Sequence, residues 1–245
     1  MVAGAPAVPR RTVLTMGLGL AIAAVLPCVA QAGGESAEKI LVLGDSQAQG
    51  LAAGVQRQYR GDRLRRVVDR SKISTGLVSR ASFDWPAQAK VIATGDRSDV
   101  AFVMFGANDR PPVRVGGRID PGLLERFSEN YGNQVAAVAQ SFTDAGVPLV
   151  WLGHPVVRDA AFSEDMALLN TIYQSRAAAA GATFVSTWDM FQGPDGGFAA
   201  YGTGVGGQTV KLRADDGVHM TAAGYDLIAA ALVPFIERYR PATAA

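Results

Sequence analysis

Ser46 closes the run Lys39-Ile-Leu-Val-Leu-Gly-Asp-Ser46, an apolar stretch that stops abruptly at Gly44-Asp45-Ser46. Far downstream, Asp216-Gly-Val-His219 precedes the last helical pattern. A serine hydroxyl is a poor nucleophile near neutral pH and needs a base within hydrogen-bond reach. The chain has two histidines, His154 and His219, so few residues can serve. His219 is the candidate base, because Asp216, three residues before it, can hold the ring by its other nitrogen and stabilise the imidazolium. Asp215 competes for that role, and spacing favours Asp216. His154, in Gly153-His154-Pro155, lacks an Asp three residues before it and reads as a cleft or structural residue.

Attack by a hydroxyl on a carbonyl also needs donors for the oxyanion. The backbone N–H of Ser46, at a helix start, is one candidate. The side-chain amide of Asn108, in Gly106-Ala107-Asn108-Asp109, is a second, and the N–H of Gly76, in Ser74-Thr75-Gly76, a third. Asp45 and Asp109 are expected to tie down turns through side-chain-to-backbone bonds. Arg110 and Arg114 could hold an anionic substrate group but read rather as a solvated loop, and Trp85, Trp151 and Trp188 as core or cleft wall. One imidazole and one carboxylate with no cysteine make a poor zinc site, so neither metal nor cofactor is expected.

These residues must be brought to one place. Apolar strand-like runs recur at 40–43, 64–68, 100–105, 148–152 and 183–185. Helical patterns alternate with them, at 47–59, 85–93 and 166–180. Leu124, Phe127, Tyr131, Val135, Val138 and Phe142 mark another buried stripe, and Tyr225, Ile228, Ala229, Leu232, Ile236 and Tyr239 the last, with Thr221 as its N-cap. Continuous apolar strands alternating with helices predict an α/β fold, a parallel sheet covered on both faces. Ligands of such sheets bind beyond the carboxyl ends of the strands. Ser46 follows the first strand and Asn108 the third, so both fall on that edge. The Gly-rich stretch 193–207 is read as a long surface loop leading back to Asp216 and His219.

The first 32 residues read as an export signal: Arg10-Arg11, an apolar stretch from Val13 to Leu26, then Ala30-Gln31-Ala32, a small-x-small cleavage site. The pair of arginines also suits the twin-arginine type. Cys28, the only cysteine, falls within this segment, and removing both arginines takes the formal charge from +1 to −1. So balanced a chain has no electrostatic footprint for nucleic acid and no polybasic face for lipid. Residues 33–245 are expected to form one domain, exported to the periplasm or beyond, with no stable membrane insertion after cleavage.

Taken together, Gly44-Asp45-Ser46, Gly106-Ala107-Asn108-Asp109 and Asp216-Gly217-Val218-His219 resemble, in order, three blocks of the SGNH (GDSL-type) hydrolase superfamily. Asp84-Trp85-Pro86 and Leu212-Arg213-Ala-Asp-Asp216 resemble an exported bacterial branch whose members mostly lack an assigned substrate. Gln47 departs from the pattern, since many relatives carry an aliphatic residue there. The resemblance implies a flavodoxin-like three-layer α/β/α sandwich with a parallel sheet of about five strands. It also implies catalysis by Ser46, His219 and Asp216, with an oxyanion hole of Ser46, Gly76 and Asn108. The implied activity is that of a serine esterase acting on small carboxylic esters or O-acetylated glycans. Alternatives are an O-acyltransferase using the same acyl-enzyme, or a non-catalytic glycan-binding or assembly protein on this fold.

Overall fold

Alternation of strand and helix runs through the chain in the computed structural model, which describes residues 37–239 apart from residue 79. The expected signal segment lies outside the described residues. β1 (Glu38–Gly44) leads into α1 (Ser46–Gln58), then β2 (Arg65–Ser71), α2 (Trp85–Asp96) and β3 (Val100–Met104). A two-residue-strand hairpin, β4 (Arg114–Val115) and β5 (Arg118–Ile119), precedes α3 (Pro121–Asp144). Then come β6 (Leu149–Leu152), α4 (Ala160–Ala179), β7 (Thr183–Val185) and a short 3-10 turn at Asp189–Phe191. A second hairpin, β8 (Tyr201–Thr203) and β9 (Thr209–Lys211), leads to α5 (Ala222–Arg238).

The main sheet has order β2-β1-β3-β6-β7, and every pairing in it is parallel. Alternate residues divide its burial between two faces. Leu41, Leu43, Ala101, Val103 and Trp151 pack against α2, α3 and α4, with Trp85, Val135, Phe142 and Leu169 among the contacts. Ile40, Val42, Phe102, Met104 and Val150 point the other way, onto Leu51 and Val55 of α1 and Ile228 and Leu232 of α5. All five residues of β3 are buried. A strand covered on both sides has no polar face to show, which is why its sequence is a continuous apolar run. The result is the expected three-layer α/β/α sandwich. The edge strand β2 is instead rich in charge, with Arg65, Arg66, Asp69 and Arg70, which blunts it against pairing with other chains.

Helix starts are set by side-chain caps. Asp45, Asp84, Asp120 and Asp159 each accept a backbone N–H at the first turn of α1 to α4, and Thr221 does so for α5. The Asp159 cap starts α4 six residues before the apolar pattern does. The stretch 193–207 is not wholly a loop: β8 lies within it and pairs with β9, the chain reversing through Gly204 to Gly207.

Candidate active site

Backbone geometry at the end of β1 sets the position of Ser46. Gly44 has φ +141°, and a Cβ there would overlap the Met104 carbonyl of the neighbouring strand, so only glycine permits this exit. Asp45 then caps α1. Its Oδ1 accepts from Gln47 N at 2.9 Å, and its Oδ2 accepts from Gly106 N at 3.1 Å, which pins the Ser46 turn to the loop after β3. Burial pushes the Asp45 carboxyl up to about 7, against the pull of the Gln47 amide.

His219 reaches Ser46 from the loop before α5. Ser46 Oγ and His219 Nε2 are 2.8 Å apart, and His219 Nδ1 is 2.6 Å from Asp216 Oδ2. Asp216 Oδ1 accepts from the backbone N–H groups of Val218 and His219 at 2.8 and 2.9 Å. Partial burial works against ionisation of Asp216, but the Val218 and His219 amides and the imidazole outweigh it and hold its pKa at about 2. An ionised carboxylate only accepts, so Nδ1 carries the ring proton and Nε2 presents its lone pair to the serine hydroxyl. Asp215 lies away from the ring: it is exposed and paired with Lys211.

Asn108 and Gly76 meet across two loops. Asn108 Nδ2 donates to the Thr75 carbonyl at 2.8 Å, directly before Gly76. A Cβ on Gly76 would overlap Asp109 Oδ1, so no side chain fits where that carboxylate passes. Asp109 accepts from Leu77 N at 2.8 Å, Val78 N at 3.1 Å and the Tyr131 hydroxyl at 2.9 Å. Burial raises its carboxyl pKa, opposed by those three donors. Trp85 adds a further tie, its indole N–H donating to Thr75 Oγ1 at 2.9 Å.

Other residues singled out in the sequence lie elsewhere. His154 has no exposed surface, so it is not a cleft residue. Its backbone is bonded in both directions to Asn170, and its ring lies beside the Phe105 backbone. Burial first, then the nearby Arg213 charge, lowers its pKa to about 3. Arg110 and Arg114 are not simply solvated: both pair with the buried Asp165, and Arg114 also with Glu164. Trp85 and Trp151 are core residues. Trp188 is half-buried and lines an open pocket with Val157, Arg158, Ala167 and Phe198.

One residue of evident importance here was not assigned a role from sequence. Arg213 is fully buried, and its guanidinium donates to the carbonyls of Val156, Gly217 and Val218 and lies over the rings of Phe191 and Phe198. Burial lowers its pKa to about 10, which leaves it charged at neutral pH. The signal available was an arginine flanked by apolar residues three positions before the Asp of the Asp-x-x-His block.

Comparison with solved structures gives the same architecture. The structure called TesA aligns with TM-score 0.56 at 17% identity, covering 83% of this chain and 100% of that one. A GDSL-like lipase from Bacteroides thetaiotaomicron VPI-5482 aligns with TM-score 0.54 at 14% identity, covering 83% and 89%. A mutant of Axe2, an acetylxylan esterase from Geobacillus stearothermophilus, aligns with TM-score 0.51 at 18% identity, covering 82% and 94%. At these identities the likeness is one of fold. No curated protein matched the sequence. Residues 39–234 match the family described as "Protein of unknown function (DUF459)", and the chain therefore belongs to that family, with the SGNH hydrolase fold.

Proposed function

We propose that this chain is an exported serine esterase that hydrolyses carboxylic or O-acetyl esters, O-acetyl groups on cell-envelope glycans being the leading substrates. The observation that carries the reading is the continuous bonding of Ser46 Oγ to His219 Nε2 at 2.8 Å and of His219 Nδ1 to Asp216 Oδ2 at 2.6 Å. Ser46 Oγ attacks the ester carbonyl while His219 Nε2 takes its proton. The tetrahedral oxyanion is held by the N–H groups of Ser46 and Gly76 and by Asn108 Nδ2. Collapse breaks the bond to the alcohol, which leaves with the proton from His219. Water then attacks the acyl-serine, His219 again taking the proton, and the acid departs as Ser46 regains its hydrogen.

The acetylxylan esterase and the GDSL-like lipase that share this fold support testing acyl groups of graded length. Arg10-Arg11, the apolar stretch after them and Ala30-Gln31-Ala32 support export. The test is a panel of aryl esters of graded chain length and O-acetylated glycans, given to the purified protein and to Ser46→Ala. The proposal expects turnover of at least one ester class, abolished in Ser46→Ala. In Asn108→Ala the rate should fall by roughly 10²–10³. Undiminished turnover by Ser46→Ala would overturn the mechanism.

A further inference from the structure

Gln47, the neighbour of the nucleophile, is fully buried in the first turn of α1. Burying a primary amide is costly unless its polar atoms are bonded, so its partners matter. Nε2 donates to the Val218 carbonyl at 3.3 Å, and Oε1 accepts from the Tyr225 hydroxyl at 2.8 Å. The Val218 carbonyl belongs to the same peptide group as the N–H of His219. That carbonyl also accepts from Arg213 Nη2 at 2.9 Å, and the N–H donates to Asp216 Oδ1 at 2.9 Å. The peptide that carries the base is thus held at its oxygen by Gln47 and Arg213 and at its nitrogen by Asp216.

Two bonds therefore run side by side between the same two segments: Ser46 to His219, and Gln47 to Val218. We propose that Gln47 is a positioning residue, a bracket that sets the separation of nucleophile and base, with Tyr225 of α5 as its anchor. The inference rests on reading Ser46 as nucleophile and His219 as base. Those two residues are 173 positions apart in the chain, so their spacing depends on how α1 packs against α5 and its preceding loop. Tyr225 lies at that packing, its ring against Gly50 and its backbone against Gly54. An aliphatic side chain at position 47 would fill the space but offer neither the donor nor the acceptor. A displacement of about 1 Å between reacting groups can cost about 10² in rate, so a bracket one residue from each group has leverage on the chemical step.

The experiment compares Gln47→Met, Tyr225→Phe and the double variant in hydrolysis of an aryl acetate by the full chain, with active enzyme counted by active-site titration. Gln47→Met should lower kcat roughly tenfold or more and Tyr225→Phe by a smaller factor, each with KM within about twofold of the parent. The double variant should be no slower than Gln47→Met alone, because both changes remove one device. A purely structural role would lower Tm and leave kcat per titrated site unchanged, and that result overturns the proposal. Independent losses that multiply in the double variant overturn the shared bracket too. If Gln47→Met fails to fold, Tyr225→Phe decides, since it removes one oxygen and keeps the ring; an unchanged kcat there is equally fatal. Turnover by Ser46→Ala, run alongside, would instead bring down the reading of the nucleophile on which the bracket depends.

Discussion

At Asp216 one carboxylate serves two purposes: Oδ1 gathers the Val218 and His219 amides, and Oδ2 faces the ring nitrogen of His219. Asp216→Asn separates them. The amide oxygen would keep the two backbone donors, which turns its NH₂ toward His219 Nδ1 and makes that nitrogen an acceptor. The ring proton then sits on Nε2, facing Ser46, where it blocks proton abstraction. A fall in kcat of as much as about 10⁴ is expected with the fold retained, whereas Asp215→Asn should change little. Steady-state kinetics on both variants checks this, and equal effects would contradict the assignment. Ser46, His219 and Asp216 were legible as candidates because residue type and local spacing restrict their chemistry. Gln47 and Arg213 were not, because their meaning lies in the Val218 carbonyl. For Gln47 that carbonyl is 171 positions away, and no local pattern announces it.

Elements behind the site contribute through a buried polar chain joining α3 and α4. The Tyr131 hydroxyl donates to Asp109 and lies 2.8 Å from the Tyr173 hydroxyl, which donates to the Phe105 carbonyl at 3.2 Å. Burial, with the Asp109 charge nearby, raises both phenol pKa values well above the ordinary range, so each remains a donor. Tyr131→Phe would strip Asp109 of one donor in a site without water access. It should destabilise the fold by about 1–3 kcal/mol, read as a lower urea midpoint. An unchanged midpoint would contradict the role given to this chain. Sequence pattern located the five strands of the main sheet and the helices because each has a buried face with its own period. It missed the β4–β5 and β8–β9 hairpins, whose strands of two or three residues are too short to carry one. It also started α4 late, because the first turns depend on the Asp159 cap more than on an apolar stripe.

For the whole molecule, stability and pH are linked through His154. Its pKa is about 3 when folded and near 6.5 in an open chain. Between those values the unfolded state binds the extra proton, so this contribution is fully present above about pH 6.5 and is lost as pH falls toward 3. His154→Leu should flatten the pH dependence of unfolding free energy in that window by about 1.4 kcal/mol per pH unit. Denaturation curves at pH 4.5 and 6.5 measure it, and parallel profiles for parent and variant would contradict the buried neutral imidazole. At the carboxyl edge of the sheet, segments from both ends of the domain converge on one serine. The most direct measurement is intact-mass analysis after exposure to a serine-directed fluorophosphonate, followed by peptide mapping. A single adduct on Ser46, absent from Ser46→Ala, is expected; a protein that stays unlabelled, or carries its adduct on another residue, would contradict Ser46 as the nucleophile.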